Sequence, residues 1–185
     1  MPVSVKFCGL TSPGDARAAV ECGASYVGAV FAGGPRVVTP QRAREVFGGS
    51  GTRAARVGVF GADPPDRIGE AARQSGLDVI QLHGDPRAAD VHAVRSRFGG
   101  RVWAAARGSG AQLPEWAAEL FREADAVLLD ARVPGALGGT GVALDWGAIA
   151  RALDAVRGST PVVLAGGLTP SNVAEAIRTD RKSVV

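Results

Sequence analysis

The fold turns on the stretch Val5-Lys6-Phe7-Cys8-Gly9-Leu10-Thr11. The run Val3–Cys8 has the short, apolar-rich character of a strand, and the residues just beyond it discriminate between architectures. A dinucleotide-binding, doubly wound sheet carries a glycine fingerprint immediately after its first strand, where the backbone meets a pyrophosphate. Here a single Cys-Gly pair stands in that position. Working outward, further strands are expected at Tyr26–Phe31, Ala55–Phe60, Val79–Leu82, Val102–Ala106, Ala126–Asp130 and Pro161–Ala165. Helical three- and four-residue spacing fills Gly14–Cys22, Pro40–Phe47, Pro65–Ser75, Pro86–Phe98, Leu113–Arg122, Trp146–Val156 and Pro170–Ile177. Thr11, Thr39, Asp63, Asp85, Asp145 and Thr169 are the expected N-caps.

Strict alternation of strand and helix implies parallel strands joined by right-handed crossovers. Polar residues and glycines recur at the C-terminal ends of the strands: Cys8-Gly9, Arg36, His83-Gly84, Arg107-Gly108, Asp130 and Gly166-Gly167. A (β/α)8 barrel gathers all of these on one rim around one site, whereas an open sheet disperses them. The expected fold is therefore an α/β TIM barrel, incomplete at seven βα units, with strand 8 and helix 8 missing. It is expected to form a single domain over residues 1–179. Residues 180–185 are expected to be a non-native tail.

Composition narrows the function classes. The chain has 185 residues, enough for one well-buried core, and 46% of them are hydrophobic. Its 21 basic residues leave a formal charge of +3 and are scattered, where nucleic-acid binding needs a coherent basic face. No apolar run approaches the ~20 residues of a membrane span. Two cysteines and two histidines offer neither a disulfide framework nor a metal-ligand spacing, so no metal is expected. The expectation is a soluble, cytoplasmic protein of a reducing compartment, acting on a small molecule without nucleic acid or membrane. A monomer is the working expectation.

Cys8 ends the first strand, where a thiol beside positive charge becomes a base or nucleophile. The competing reading is a small buried hydrophobe. Gly9 next to it leaves room for a substrate to approach the backbone. Cys22, inside a helix, is expected to pack in the core. Asp130 closes the apolar run Ala126-Val127-Leu128-Leu129, and a carboxyl buried at a strand end is suited to general acid work. Facing Cys8 across a barrel mouth, it makes an acid–base pair. Gly166-Gly167 follows the seventh strand, where barrels often hold phosphate, and Gly138-Gly139-Thr140-Gly141 is a loop able to fold over such a group. Arg36 can clamp a carboxylate, and His83 is expected to line the site without catalysing.

Together these segments resemble the phosphoribosylanthranilate isomerase family of tryptophan biosynthesis. The matching stretches include Lys6-Phe7-Cys8-Gly9-Leu10-Thr11, Pro35-Arg36 with Thr39-Pro40, Arg56-Val57-Gly58-Val59-Phe60 and Val79-Ile80-Gln81-Leu82-His83-Gly84. They continue through Leu128-Leu129-Asp130, Gly138-Gly139-Thr140-Gly141 with Asp145-Trp146, and Leu164-Ala165-Gly166-Gly167-Leu168-Thr169-Pro170 with Asn172-Val173. The resemblance implies Cys8 as general base and Asp130 as general acid in an Amadori rearrangement of N-(5′-phosphoribosyl)anthranilate, with no metal or cofactor. It also implies Arg36 facing the anthranilate carboxylate, and Gly166 and Gly167 forming half of the phosphate site.

The sequence departs from the family at Ala32-Gly33-Gly34-Pro35, where a lysine- and serine-containing loop is usual, and at Val142, where a lysine often stands. The strand-8 segment that completes the family's phosphate site has no counterpart. Asp180-Arg181-Lys182-Ser183-Val184-Val185 can be encoded by the opening of a widely used sequencing adapter, so C-terminal truncation is expected. A chain cut there is expected to be poorly stable and nearly inactive. Two alternatives stay open. One is another phosphosugar barrel such as an indole-glycerol-phosphate synthase relative, which would want a lysine acid that no strand end here carries. The other is a barrel remnant that only binds phosphate or a partner chain.

Overall fold

A computed structural model of the chain describes residues 3–49, 51, 53–108, 112–131, 149, 152, 153 and 155–179. Among these, seven strands form one parallel sheet in sequence order: β1 (Lys6–Cys8), β2 (Tyr26–Val30), β3 (Ala55–Phe60), β4 (Val79–Leu82), β5 (Arg101–Gly108), β6 (Ala126–Ala131) and β7 (Val162–Leu164). Six helices lie between or after them: α1 (Pro13–Glu21), α2 (Pro40–Gly48), α3 (Pro65–Ser75), α4 (Ala88–Arg95), α5 (Ala117–Glu123) and α6 (Val173–Thr179). This is the expected incomplete (β/α)8 barrel, and β1 and β7 have no strand pairing with each other among the described residues. The expected helix around Trp146–Val156 and the residues 180–185 lie wholly or largely outside the described residues.

The strand pattern explains why the sheet curls around one interior. Side chains alternate across a strand, so residues two apart share a face. Ile80 and Leu82 of β4, Val127 and Leu129 of β6, and Val162 and Leu164 of β7 pack outward against Ile68, Val91, Leu120, Ile149 and Leu153. The intervening Val57, Val79, Trp103, Ala105, Leu128 and Val163 form a second, separate cluster inside the barrel. Register keeps the two sets apart, pairing Val59 with Gln81, Gln81 with Trp103, and Arg107 with Asp130. Continuing along the inner face past the apolar layer therefore reaches Cys8, Gln81, Arg107 and Asp130 together.

Several expected caps are corrected. Ser12, not Thr11, caps α1, its hydroxyl accepting from the Asp15 N–H at 3.1 Å. Thr39 caps α2 as expected, by accepting from the Arg42 N–H. Asp63 does not cap α3, whose N-cap is Pro64. Asp85 is drawn away to Arg107, and α4 begins at Ala88 with Asp90 accepting from the Arg87 N–H at 2.8 Å. Thr169 precedes α6 by more than one residue, and Asn172 adjoins the helix instead. Asp145 lies outside the described residues. Cys22 is exposed at the C-cap of α1, because the helix ends one residue before it, so it does not pack in the core.

At the opposite end of the strands, Asp78 fastens β3 to β4. It accepts from the Arg56 N–H at 2.9 Å and from the guanidinium through Nε at 2.9 Å and Nη2 at 3.0 Å. The Arg56 hydrogen bonds hold the Asp78 carboxyl below its ordinary value, against the opposing effect of burial. Both side chains are 39% exposed, so solvent screening limits the pair to about 1 kcal/mol. Asp78→Asn should lower the urea midpoint at neutral pH. Because the folded-state pKa is depressed, this contribution is present above the ordinary carboxylate range and disappears as pH falls through the lowered value. Wild type and variant should therefore converge in acid.

Candidate active site

The strand ends open into one cavity of about 670 Å³, lined by residues from β1 through the loop after β7. Cys8, Arg36, His83, Asp130, Gly166 and Gly167 all border it. Six positions expected from the sequence to serve one site thus converge in space.

Cys8 reaches the cavity because β2 carries a glycine beside it. Cys8 pairs with Gly28, and a Cβ on Gly28 would lie 3.2 Å from the Cys8 Sγ and 3.4 Å from the Lys6 Cε. The missing side chain gives both β1 residues their place inside the barrel. Cys8 is exposed, which rules out the buried-hydrophobe reading. Gly9 has a role different from the expected one. Its φ is +76°, and a Cβ there would come within 2.8 Å of the Arg36 Nη1. The space is filled by the Arg36 guanidinium, so Gly9 docks Arg36 beside Cys8. The loop carrying Arg36 is tied back by the Val38 N–H, which donates to the Val30 carbonyl at 2.9 Å.

Asp130 is 5% exposed. One carboxylate oxygen, Oδ1, accepts from the Ala131 N–H at 2.8 Å, and the other, Oδ2, lies 3.3 Å from His83 Nε2. The His83 Nδ1 is in turn 3.2 Å from the Gln81 Nε2. Arg107 stands across the β5–β6 pair from Asp130. Its Nε and Nη2 donate to the two Asp85 oxygens at 2.8 and 2.5 Å. Those bonds raise the Arg107 pKa, burial opposes them, and the charges of Asp85 and Asp130 add to the rise. Asp85 holds a left-handed φ of 52°, a conformation uncommon for non-glycine residues. The two-pronged arginine bond keeps it there.

Gly166 is set against Asp130. With φ +77°, it has no room for a side chain, since a Cβ would fall 2.2 Å from Asp130 Oδ1. Gly167 also has a positive φ, of 63°. Its carbonyl accepts from the Asn172 Nδ2 at 2.8 Å, while Asn172 Oδ1 accepts from the Thr169 N–H at 2.7 Å. Asn172 thereby braces the glycine turn. The loop Gly138-Gly139-Thr140-Gly141 and Val142 lie outside the described residues.

Arg107 is expected on the rim from the sequence, which does not foretell its pairing with Asp85, while Lys6, Gln81 and Asn172 carry no chemical role in the sequence alone. Lys6 is visible in retrospect as the period-two partner of Cys8. Gln81 is an amide within the otherwise apolar strand Val79-Ile80-Gln81-Leu82, and buried polar groups require a partner.

The arrangement offers a thiol on β1 and a carboxyl on β6 across one cavity, with a guanidinium on one flank and a glycine turn on another. Among the described residues, no helix is long and apolar enough to cross a membrane. The family model for N-(5′-phosphoribosyl)anthranilate isomerase matches residues 5–185. The N-(5′-phosphoribosyl)anthranilate isomerase of Moorella thermoacetica is 39% identical over 176 residues, covering 95% of this chain and 75% of that protein. The crystal structure of phosphoribosyl anthranilate isomerase from Thermotoga maritima superposes with a TM-score of 0.86 at 33% identity, covering all of this chain and 86% of that one. A phosphoribosyl anthranilate isomerase in complex with reduced 1-(o-carboxyphenylamino)-1-deoxyribulose 5-phosphate gives 0.83 at 32% identity, with the same coverage. From the Cys-Gly pair on β1 to the glycine turn after β7, the chain belongs to the N-(5′-phosphoribosyl)anthranilate isomerase family.

Proposed function

We propose that Cys8 and Asp130 are the base and the acid with which this chain, an isomerase of tryptophan biosynthesis, rearranges N-(5′-phosphoribosyl)anthranilate. Asp130 protonates the ribose ring oxygen, and the bond from C1′ to that oxygen breaks as the anthranilate nitrogen forms a Schiff base. The Cys8 thiolate then takes the C2′ proton. The released electron pair forms the C1′–C2′ double bond and neutralises the nitrogen. The resulting enolamine tautomerises to 1-(2-carboxyphenylamino)-1-deoxyribulose 5-phosphate. The observation that carries this reading is the convergence of an exposed thiol and a 5%-exposed carboxyl on one cavity.

Arg36 is the proposed partner of the anthranilate carboxylate, since a guanidinium offers paired donors to a planar anion. Gly166 and Gly167 are the proposed part of the phosphate site, because two successive positive-φ residues turn the backbone without side chains in the way. His83 contributes as a site-lining residue. The cavity draws on β1 through the loop after β7, which supports residues 1–179 as one barrel domain, with a single chain as the proposed functional unit. A base that acts as a thiolate needs a reducing compartment, in keeping with the cytoplasm.

Expression of the chain in a tryptophan auxotroph lacking this isomerase tests the reading directly. Growth without tryptophan is the expected result once an eighth βα unit is supplied to the chain, with little growth from the 185 residues alone, and failure of that well-folded longer protein to turn over phosphoribosylanthranilate in vitro would overturn the reading. Arg36→Gln should raise KM about tenfold or more with a smaller change in kcat, as loss of a charge-assisted contact to the substrate predicts.

A further inference from the structure

Gln81 is an amide buried inside the barrel at the level of the acid, and its Oε1 has no hydrogen-bond partner among the described residues. A buried polar atom without a partner costs about 1–3 kcal/mol. Its other amide atom, Nε2, lies 3.2 Å from His83 Nδ1, and His83 Nε2 lies 3.3 Å from Asp130 Oδ2. His83 is 8% exposed, so this chain of three side chains is nearly dry. Its backbone is pinned as well, with the His83 N–H donating to the Phe60 carbonyl at 2.8 Å.

Along the line from Gln81 through His83 to Asp130, donors and acceptors match in two arrangements, each using one end of the Gln81 amide. With Gln81 Nε2 donating to Nδ1, the neutral ring carries its proton on Nε2 and donates to an ionised Asp130. With the amide turned by half a rotation, Oε1 accepts from Nδ1–H, and the bare Nε2 accepts from a protonated Asp130. The ring is neutral in both. The arrangements differ by one proton in total, the one on Asp130. We propose that Gln81 is a positioning residue that sets the tautomer of His83, and thereby lets one pocket hold Asp130 both as acid and as carboxylate. The proposal rests on the reading of Asp130 as the acid. An aliphatic residue would fill the Gln81 position and match neither state.

Other charged groups face the trio. Arg107, paired with Asp85, approaches Asp130 from β5, and Lys6, Cys8 and Arg36 border the same cavity from the opposite side. Acid work requires the pocket to hold the protonated carboxyl as well as the carboxylate, and an amide that can present either its oxygen or its nitrogen serves both.

The test is a long-range 1H–15N correlation of the histidine rings in the full chain, recorded together with the 13C shift of the Asp130 carboxyl across the pH range over which that carboxyl changes its proton. The chain has two histidines, and His92, 3.0 Å from Glu123 on the surface, reports separately. The wild-type His83 ring should pass from Nδ1–H to Nε2–H as Asp130 loses its proton. Gln81→Glu, an acceptor only, should hold Nδ1–H throughout, and Gln81→Met should leave a mixture of tautomers. In turnover assays Gln81→Met should lower kcat about tenfold with KM within about twofold. A wild-type ring that keeps one tautomer while the Asp130 carboxyl changes its proton overturns the proposal, as does a tautomer change that persists unaltered in either folded variant. The wild-type arm decides the matter even where a variant fails to fold. Absence of turnover in the wild-type chain with an eighth βα unit supplied would count against the isomerase reading and leaves the ring measurement decisive for Gln81.

Discussion

Replacing Asp130 by Asn, or Cys8 by Ala, is expected to lower kcat by about a hundredfold to ten-thousandfold, the range that a positioned acid or base supplies. The fold should survive both changes. Cys8 is exposed at the end of β1, so removing its sulfur opens no core cavity. An asparagine at 130 keeps an oxygen to accept the Ala131 N–H and an amide edge toward His83. Melting curves close to wild type, with turnover of phosphoribosylanthranilate lost, are the expected pair of results. A variant of either residue retaining near-wild-type kcat would remove that residue from the chemistry. The two substitutions should also be far from additive, because each disables a different step of one sequence, and the slower step then governs the rate.

The second large effect comes from a residue with no side chain. Gly166→Ala is expected to reduce kcat about a hundredfold and to cost about 1–3 kcal/mol of stability. Two separate constraints add here. The backbone sits at φ +77°, which an L side chain adopts only with strain, and the new methyl would lie 2.2 Å from Asp130 Oδ1. Either the loop or the carboxylate must move. If the carboxylate moves, it leaves the Ala131 N–H and His83 together. Gly9→Ala is a useful control, since its methyl would meet the Arg36 guanidinium at 2.8 Å and should act mainly on KM. The two glycines thus separate, by kinetic signature, the placement proposed for Asp130 from the recognition proposed for Arg36.

Much of the fold and the site is legible in the residues alone, for definite reasons. Parallel strands joined by helices leave a period in the chain, so Ala55–Phe60 and Val79–Leu82 coincide with β3 and β4 residue for residue. Strand ends in a barrel share one rim, so Cys8, Arg36, His83, Asp130 and the two glycines belong to one site on residue type and position, and the cavity brings them together. The helix starts are less readable. Asp63 and Asp85 are good capping residue types, yet Pro64 is the N-cap of α3, and a long-range partner, Arg107, claims Asp85. Local preference of about 1 kcal/mol is easily outweighed by such a pair.

The site's inner wiring is not legible, because it depends on which residues face each other across strands. Nothing in Val79-Ile80-Gln81-Leu82-His83 tells whether Gln81 points at a helix or into the barrel. The pairing of Val59 with Gln81 and Gln81 with Trp103 decides it. Gly9 likewise reads as space for a substrate, and only the tertiary contact reveals Arg36 in that space. By itself, the sequence determined the order of elements and the rim on which Cys8 and Asp130 stand, since these come from period and residue type. Tertiary structure decided which polar atoms meet and which glycines bear a clash, because register and curvature bring together residues far apart in the chain.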